Sequence, residues 1–225
     1  LRARAHVVLG DALHGIGDRM PSPPHLREAL ESYAAAIATL GAEHAAPEWA
    51  VARCGLGLTR LRLGDLEASA AQYEECLTDT GAALTAAEAG AGGAGLDVAR
   101  LHAARGRALF GLFALRDRPA LARDAADAFA KALESIDAEA GSTGQHAIRH
   151  RLALALWVMG ERSGDVERLG QAAQELLAVL DRHERTGDAV RAEEVREDLI
   201  RLHDDMARVA AAGDVAAGPQ DSARA

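Results

Sequence analysis

Along most of the chain, apolar and small residues recur at spacings of three and four, the period of a helix buried along one stripe. The recurrence falls into blocks. Four of them read HVVLGDALHGIG (His6 to Gly17), RCGLGLTRLRLG (Arg53 to Gly64), HAARGRALFGLF (His102 to Phe113) and RHRLALALWVMG (Arg149 to Gly160). Their small pivots, Gly10, Gly57, Gly106 and Ala153, stand 47, 49 and 47 residues apart. A second amphipathic block follows each: LREALESYAAAI from Leu26, LEASAAQYEECL from Leu66, ARDAADAFAKAL from Ala122 and LGQAAQELLAVL from Leu169. In these a small residue (Ala29, Ser69, Ala125, Ala172) precedes a bulky one (Tyr33, Tyr73, Phe129, Leu176) by four, and Ala36, Cys76, Ala132 or Val179 follows three later. Such spacings place all three on one helical face, where small residues let helices approach and the large side chain fills the space beside them. The pattern predicts antiparallel helical hairpins, stacked through their small residues, at about 4–40, 49–88, 98–136 and 145–185.

Breakers sharpen the boundaries. Gly64-Asp65 reads as a tight turn, with Gly64 ending one helix and Asp65 capping the next. On that reading Gly57 and Tyr73 are 16 residues apart, against 23 in the other three repeats, whose seven extra residues lengthen the hairpin or its loop. The Gly-rich run from Gly90 to Gly95 predicts a mobile loop. It lacks the Lys-Ser/Thr pair and preceding strand of a phosphate-binding loop. From Gly187 onward Val195, Leu199, Leu202, Met206 and Val209 form one apolar stripe on a charged helix, which predicts a capping helix over 187–210. Residues 211–225 show no period and read as disordered. The first residue, Leu1, opens almost directly on a repeat helix, and further repeats or another domain are expected before it. The fold class expected is all-α: a solenoid of about four helix-turn-helix repeats over 1–210 with a C-terminal capping helix.

Composition supports this class and removes some functions. Hydrophobic residues make up 49% of the chain and aromatics 3%, and the apolar share is mostly Ala and Leu, which favour helix. With 34 acidic against 25 basic side chains the formal charge is −9, a field that repels phosphate, so no nucleic-acid partner is expected. The longest apolar stretches, such as Leu152 to Met159, fall far short of the roughly 20 residues that cross a bilayer, so no membrane is expected either. Two cysteines and no signal peptide fit a reducing cytoplasm.

Candidate chemistry is sparse. His146 and His150 have the spacing of a shared metal, but Arg149 and Arg151 flank the second and no HExxH is present, so they read as ordinary helix-face residues. Cys54 and Cys76 lie in the two helices of one hairpin; Cys76 takes a small-residue slot and reads as packing. Carboxylate pairs such as Glu74-Glu75 and Asp204-Asp205 are adjacent rather than convergent. No cofactor, metal or catalytic residue is expected, and the chain reads as no enzyme.

Trp49-Ala50, Leu56-Gly57, Gly64-Asp65, Ser69, Tyr73 and Cys76, with Leu9-Gly10, Gly17, Ala29, Tyr33 and Ala36 repeating them, resemble the tetratricopeptide repeat family in its long-period bacterial form, over roughly residues 4–185. The usual period is about 34 residues. In that family the first helices line a concave face. The resemblance therefore implies a partner-binding ladder of Arg4, His14, Leu58, Leu61, Arg62, Arg100, Arg107, Phe110, His150, Leu154 and Trp157, with Val7, Asp11 and Val51 beside them. A ladder of apolar anchors and Arg suits a peptide or helix of a protein partner, or of a neighbouring domain, that carries hydrophobic and some acidic groups. Two other expectations stay open: a sensor of peptides or small molecules that regulates an effector domain, and a helical-repeat enzyme subunit.

Overall fold

The computed structural model describes residues 1–40, 47–91, 96–136 and 144–216. Among the described residues there are nine α-helices and no strand. They fall into two compact units, residues 1–137 and 138–225. The first holds three antiparallel hairpins: α1 (Arg2–Arg19) with α2 (Pro23–Leu40), α3 (Pro47–Glu67) with α4 (Ala70–Ala86), and α5 (Val98–Arg116) with α6 (Pro119–Glu134). The second holds α7 (Gln145–Ser163), α8 (Val166–Thr186) and α9 (Ala189–Ala216). In the first unit α2 packs on α3 and α4 on α5, while α1 touches α3 and α3 touches α5. First helices thus share one side of the stack.

The turns use ordinary capping chemistry, at places that differ partly from the sequence reading. Gly64 and Asp65 lie inside α3, which runs on to Glu67. Ala68 makes the turn at φ +47°, and Ser69 caps α4 by accepting from the Gln72 N–H. Asp97 and Asp165 cap α5 and α8 through the Arg100 and Arg168 N–H groups, and Pro119 starts α6, where a missing N–H costs nothing. Gly164 and Gly187 end α7 and α8 in the left-handed region, as helix-terminating glycines do. The Gly-rich run begins in a π-helical turn, Ala87–Ala91, that Gly90 breaks at φ +87°; the remainder, 92–95, lies outside the described residues. α9 continues to Ala216, six residues into the segment read as a disordered tail, and 217–225 lie outside the described residues.

The core repeats more strictly than the sequence reading allowed. Ala29, Cys76, Ala125 and Ala172 stand at intervals of 47, 49 and 47, and each is fully buried. The same intervals link Tyr33, Thr80, Phe129 and Leu176, then Ala36, Ala83, Ala132 and Val179, all buried. The ring slot of the second hairpin therefore belongs to Thr80, 23 residues after Gly57 as in the others, and a Cβ on Gly57 would meet the Thr80 methyl at 2.6 Å. Tyr73 instead takes the slot of Leu26 and Leu169, against Gly64. Aligning Tyr73 with Tyr33 shifts α4 by seven residues, two turns, and a heptad shift turns a helix by only about 20°. The wrong register shows almost the same face, and the second hairpin is no shorter than its neighbours.

The buried carboxylate of the second hairpin is paired within that hairpin. Asp79 of α4 is fully buried and held by Arg53 Nη1 at 2.6 Å and by Arg60, both from α3; the Arg53 guanidinium also lies 5.0 Å from the Trp49 ring centroid. Ninety-six residues on, at the same register, Arg149 Nη1 meets Glu175 at 2.8 Å. Both cysteines are free thiols, and burial pushes them up, Cys54 to about 11 and Cys76 to about 12.

Candidate functional site

The shared side of α1, α3 and α5 is built around two tyrosines from the second helices. A Cβ on Gly10 would stand 2.7 Å from a Tyr33 ring carbon and one on Gly55 closer still, so the ring of α2 fits only because both first helices lack a side chain there. Its hydroxyl emerges to donate to Asp11 Oδ1 at 2.7 Å. Tyr73 repeats the device between Gly64 of α3 and Gly111 of α5, and donates to Asp65 Oδ1 at 3.1 Å. Burial pushes both phenols up, Tyr73 to about 12 and Tyr33 beyond it, and the carboxylate each one faces adds to the shift.

Across this side, charges pair from one hairpin to the next. Arg4 reaches Glu48 at 2.7 Å, Arg62 Nε reaches Asp18 at 2.9 Å, and Arg107 joins Asp65 beside the Tyr73 hydroxyl. Glu48 is held below the usual carboxylate range by a hydrogen bond to its own backbone and by the Arg4 guanidinium. Thr59 Oγ1 donates to the Gly55 carbonyl at 2.7 Å, so it accepts from His14, whose Nδ1 lies 3.0 Å away. His14 therefore donates from Nδ1, and burial lowers its pKa. Adjacent helix axes lie about 8–10 Å apart, a distance that long side chains span.

The ladder implied by the sequence is thus divided by the structure. Arg4, Arg62 and Arg107 are present on the first-helix side but are engaged by carboxylates rather than free. Leu61 belongs to the core: it is 2% exposed and packs with Tyr73, Cys76 and Ala104, because at its place in α3 the side chain turns toward α4 and α5. Leu58 and Phe110 are half-buried, Leu58 against the same cluster and Phe110 against the Phe113 ring at 5.7 Å. Arg100 is exposed, and no carboxylate of the described residues lies within ion-pairing distance of its guanidinium. In the second unit His150 meets Asp198 at 3.1 Å, the Trp157 indole donates to Asp205 at 2.9 Å, and Leu154 is half-buried. His146 lies edge-on to His183 at 5.8 Å, so His146 and His150 turn to different partners. Among the described residues no group of three or more His, Cys, Asp and Glu could hold a metal ion.

Two grooves lie elsewhere. One, of about 480 Å³, runs between α4, α5 and α6 and is lined by Leu84, His102, Arg105, Leu109, Asp124, Asp127 and Lys131 among others. Arg105, where the repeat pattern calls for Leu, crosses it to donate to the Leu77 carbonyl at 2.8 Å. The other, of about 310 Å³, lies between α7 and α8 and is lined by His146, Arg149, Asp181, Arg182 and Arg185. Neither groove was visible in the sequence, since each combines residues of separate helices without a spacing rule.

No family model matches the chain, and no curated protein matches it. Among solved structures, a de novo designed helical repeat protein is similar over 92% of this chain and 96% of that one, at 19% identity and a TM-score of 0.30. The helical-repeat class rests on the hairpins themselves. Among the described residues no helix is long and apolar enough to cross a membrane.

Proposed function

We propose that the first-helix side of residues 1–137 is a binding surface for a peptide or helix of a protein partner or neighbouring domain, on hairpins of tetratricopeptide type, and that the chain works as an interaction scaffold in the cytoplasm. The observation that carries this reading is how polar capacity is distributed on that side. Glu48, Asp18 and Asp65 already occupy Arg4, Arg62 and Arg107, and such exposed pairs add little to stability. What remains to offer is Arg100, with half-buried Val51, Leu58 and Phe110. That set fits a segment with apolar side chains and one carboxylate, since Arg and aromatic residues dominate interface energies. No catalytic step, cofactor or metal belongs to the proposal.

The test is an interaction assay on purified protein carrying Arg100→Glu with Phe110→Ala, against Glu31→Ala on the exposed side of α2. The helix content of both is expected to match the parent by circular dichroism. Partner affinity is expected to fall about tenfold or more in the first variant and to hold in the second; unchanged affinity in the first would place the binding surface elsewhere.

A further inference from the structure

The register that orders the hairpin interiors also orders the side on which each hairpin meets the one before it. In α3 that side is Ala52, Gly55, Leu56, Thr59 and Leu63, all buried. Ala52 and Leu56 pack with Ala29, Tyr33 and Ala36 of α2, and Gly55 receives the Tyr33 ring. In α5, 49 residues on, the same places are Leu101, Ala104, Arg105, Ala108 and Leu112. All but Arg105 are buried, and Ala104, Ala108 and Leu112 pack with Tyr73 and Cys76 of α4. In α1, 47 residues before α3, they are Ala5, Val8, Leu9, Ala12 and Ile16. All five are apolar. Val8 is 66% and Leu9 50% exposed, Ala5 and Ala12 are exposed, and Ile16 is half-buried.

We propose that this side of α1 is a docking surface for an amphipathic α-helix of a partner, lying on α1 as α2 lies on α3 and presenting a small residue, Gly, Ala or Ser, opposite Val8. The kind of occupant is read from the two internal interfaces, in which the equivalent faces of α3 and α5 are each covered by the second helix of a hairpin. The small residue follows from an exchange of size. Gly55 accommodates the Tyr33 ring; at the same register the next pair of helices has Ala104 in place of the glycine and Thr80 in place of the ring, and Val8, larger than Gly or Ala, leaves no room for a ring. A second copy offers no such helix from its last element, because the exposed side of α9 is laced with the pairs Glu193–Arg196, Glu197–Arg201 and Asp205–Arg208.

A tandem chain tests this, with residues 1–46 duplicated ahead of Leu1 so that a second copy of α2 is tethered beside α1. With Tyr33→Ala in the added copy, the helix is expected to seat, slowing hydrogen exchange in α1 by about tenfold or more and removing the sensitivity of Val8→Cys to thiol reagents. With Tyr33 kept in the added copy, neither protection is expected, and Val8→Gly in the original copy should restore the slowed exchange. Exchange that is unchanged in every version, or equally slowed with and without the added ring, overturns the proposal. So does self-association of the parent chain in sedimentation that Val8→Glu abolishes, since a second copy would then cover the face.

Discussion

The Tyr33 hydroxyl donates to Asp11 Oδ1 at 2.7 Å, although its ring comes from α2 and is almost wholly buried. The ring reaches the carboxylate through the gap left by Gly10 and Gly55, so two glycines 45 residues apart in the chain and one phenol form a single device. Tyr73, Gly64, Gly111 and Asp65 build it a second time. First helices are thereby held close, and an acidic group is fixed on the side they share.

Alanine at Gly55 should therefore destabilise the chain. Its methyl would overlap ring carbons of Tyr33, and overpacking of this kind costs about 1–3 kcal/mol, against about 0.5–1 kcal/mol gained from helix propensity. A Cβ on Gly170 of α8 would meet nothing within 4 Å, so Gly170→Ala should stabilise by that smaller amount. Urea unfolding of the two variants is expected to give opposite signs; a stabilised Gly55→Ala would mean the ring has room to move.

Tyrosine ionisation offers a second check. An unfolded phenol titrates near 10.0, and both folded phenols lie higher, chiefly through burial. Above pH 10 the unfolded chain releases protons that the folded chain keeps, so stability is full below 10 and falls as pH rises. Absorbance titration is expected to show no tyrosinate step at the ordinary pKa, and loss of helix should accompany the protons when they leave. A tyrosinate step near 10 in helical protein would contradict the buried bonds to Asp11 and Asp65.

Much of this was legible in the sequence. The intervals between Gly10, Gly57, Gly106 and Ala153 mark real contacts, because small residues are needed wherever helices touch. The register of α4 was not legible: Ser69 and Cys76 both satisfy a small-residue slot, and the heptad between them barely rotates the face. Gly64-Asp65 reads as a turn only until the ring of Tyr73 is seen to need that glycine inside α3. The pairs Arg4–Glu48, Arg62–Asp18 and Arg107–Asp65 lie 42 to 44 residues apart, and only the pitch of the stack brings them together. For that reason the sequence shows Arg residues on a face but not that carboxylates already occupy them.

Removing the Asp79 carboxylate should be among the most damaging single changes. It is fully buried between Arg53 and Arg60, whose side chains keep 29% and 23% of their exposure. Breaking a buried pair costs about 3–5 kcal/mol by leaving a charge uncompensated; partial access to water places Asp79→Ala near the lower bound, about 3 kcal/mol. Asp181→Ala, which removes an exposed partner of Arg185, is expected to cost less than about 1 kcal/mol. Chemical denaturation of both variants checks the contrast, and equal small losses would show that the Asp79 triad contributes nothing beyond a surface pair.

Acid should weaken the fold through histidines before carboxylates begin to titrate. His14, His102 and His146 all have their pKa lowered from 6.5, in each case first by burial. For His14, Arg100 and Arg62 lower it further while Asp18 and Asp11 oppose them. A base whose folded pKa is depressed stays neutral in the fold while the unfolded chain takes up a proton, so stability is fully present above 6.5 and is lost as pH falls through and below that value. Protonation would also disturb the first-helix side directly, by placing a charge on the ring that bonds Thr59, where Arg100 and Arg62 oppose it. Urea unfolding between about pH 5 and 7.5 is expected to show stability rising with pH, and His14→Gln should flatten part of that slope. A slope unchanged in the variant would assign the pH dependence to His102 and His146 and leave His14 free to charge without cost.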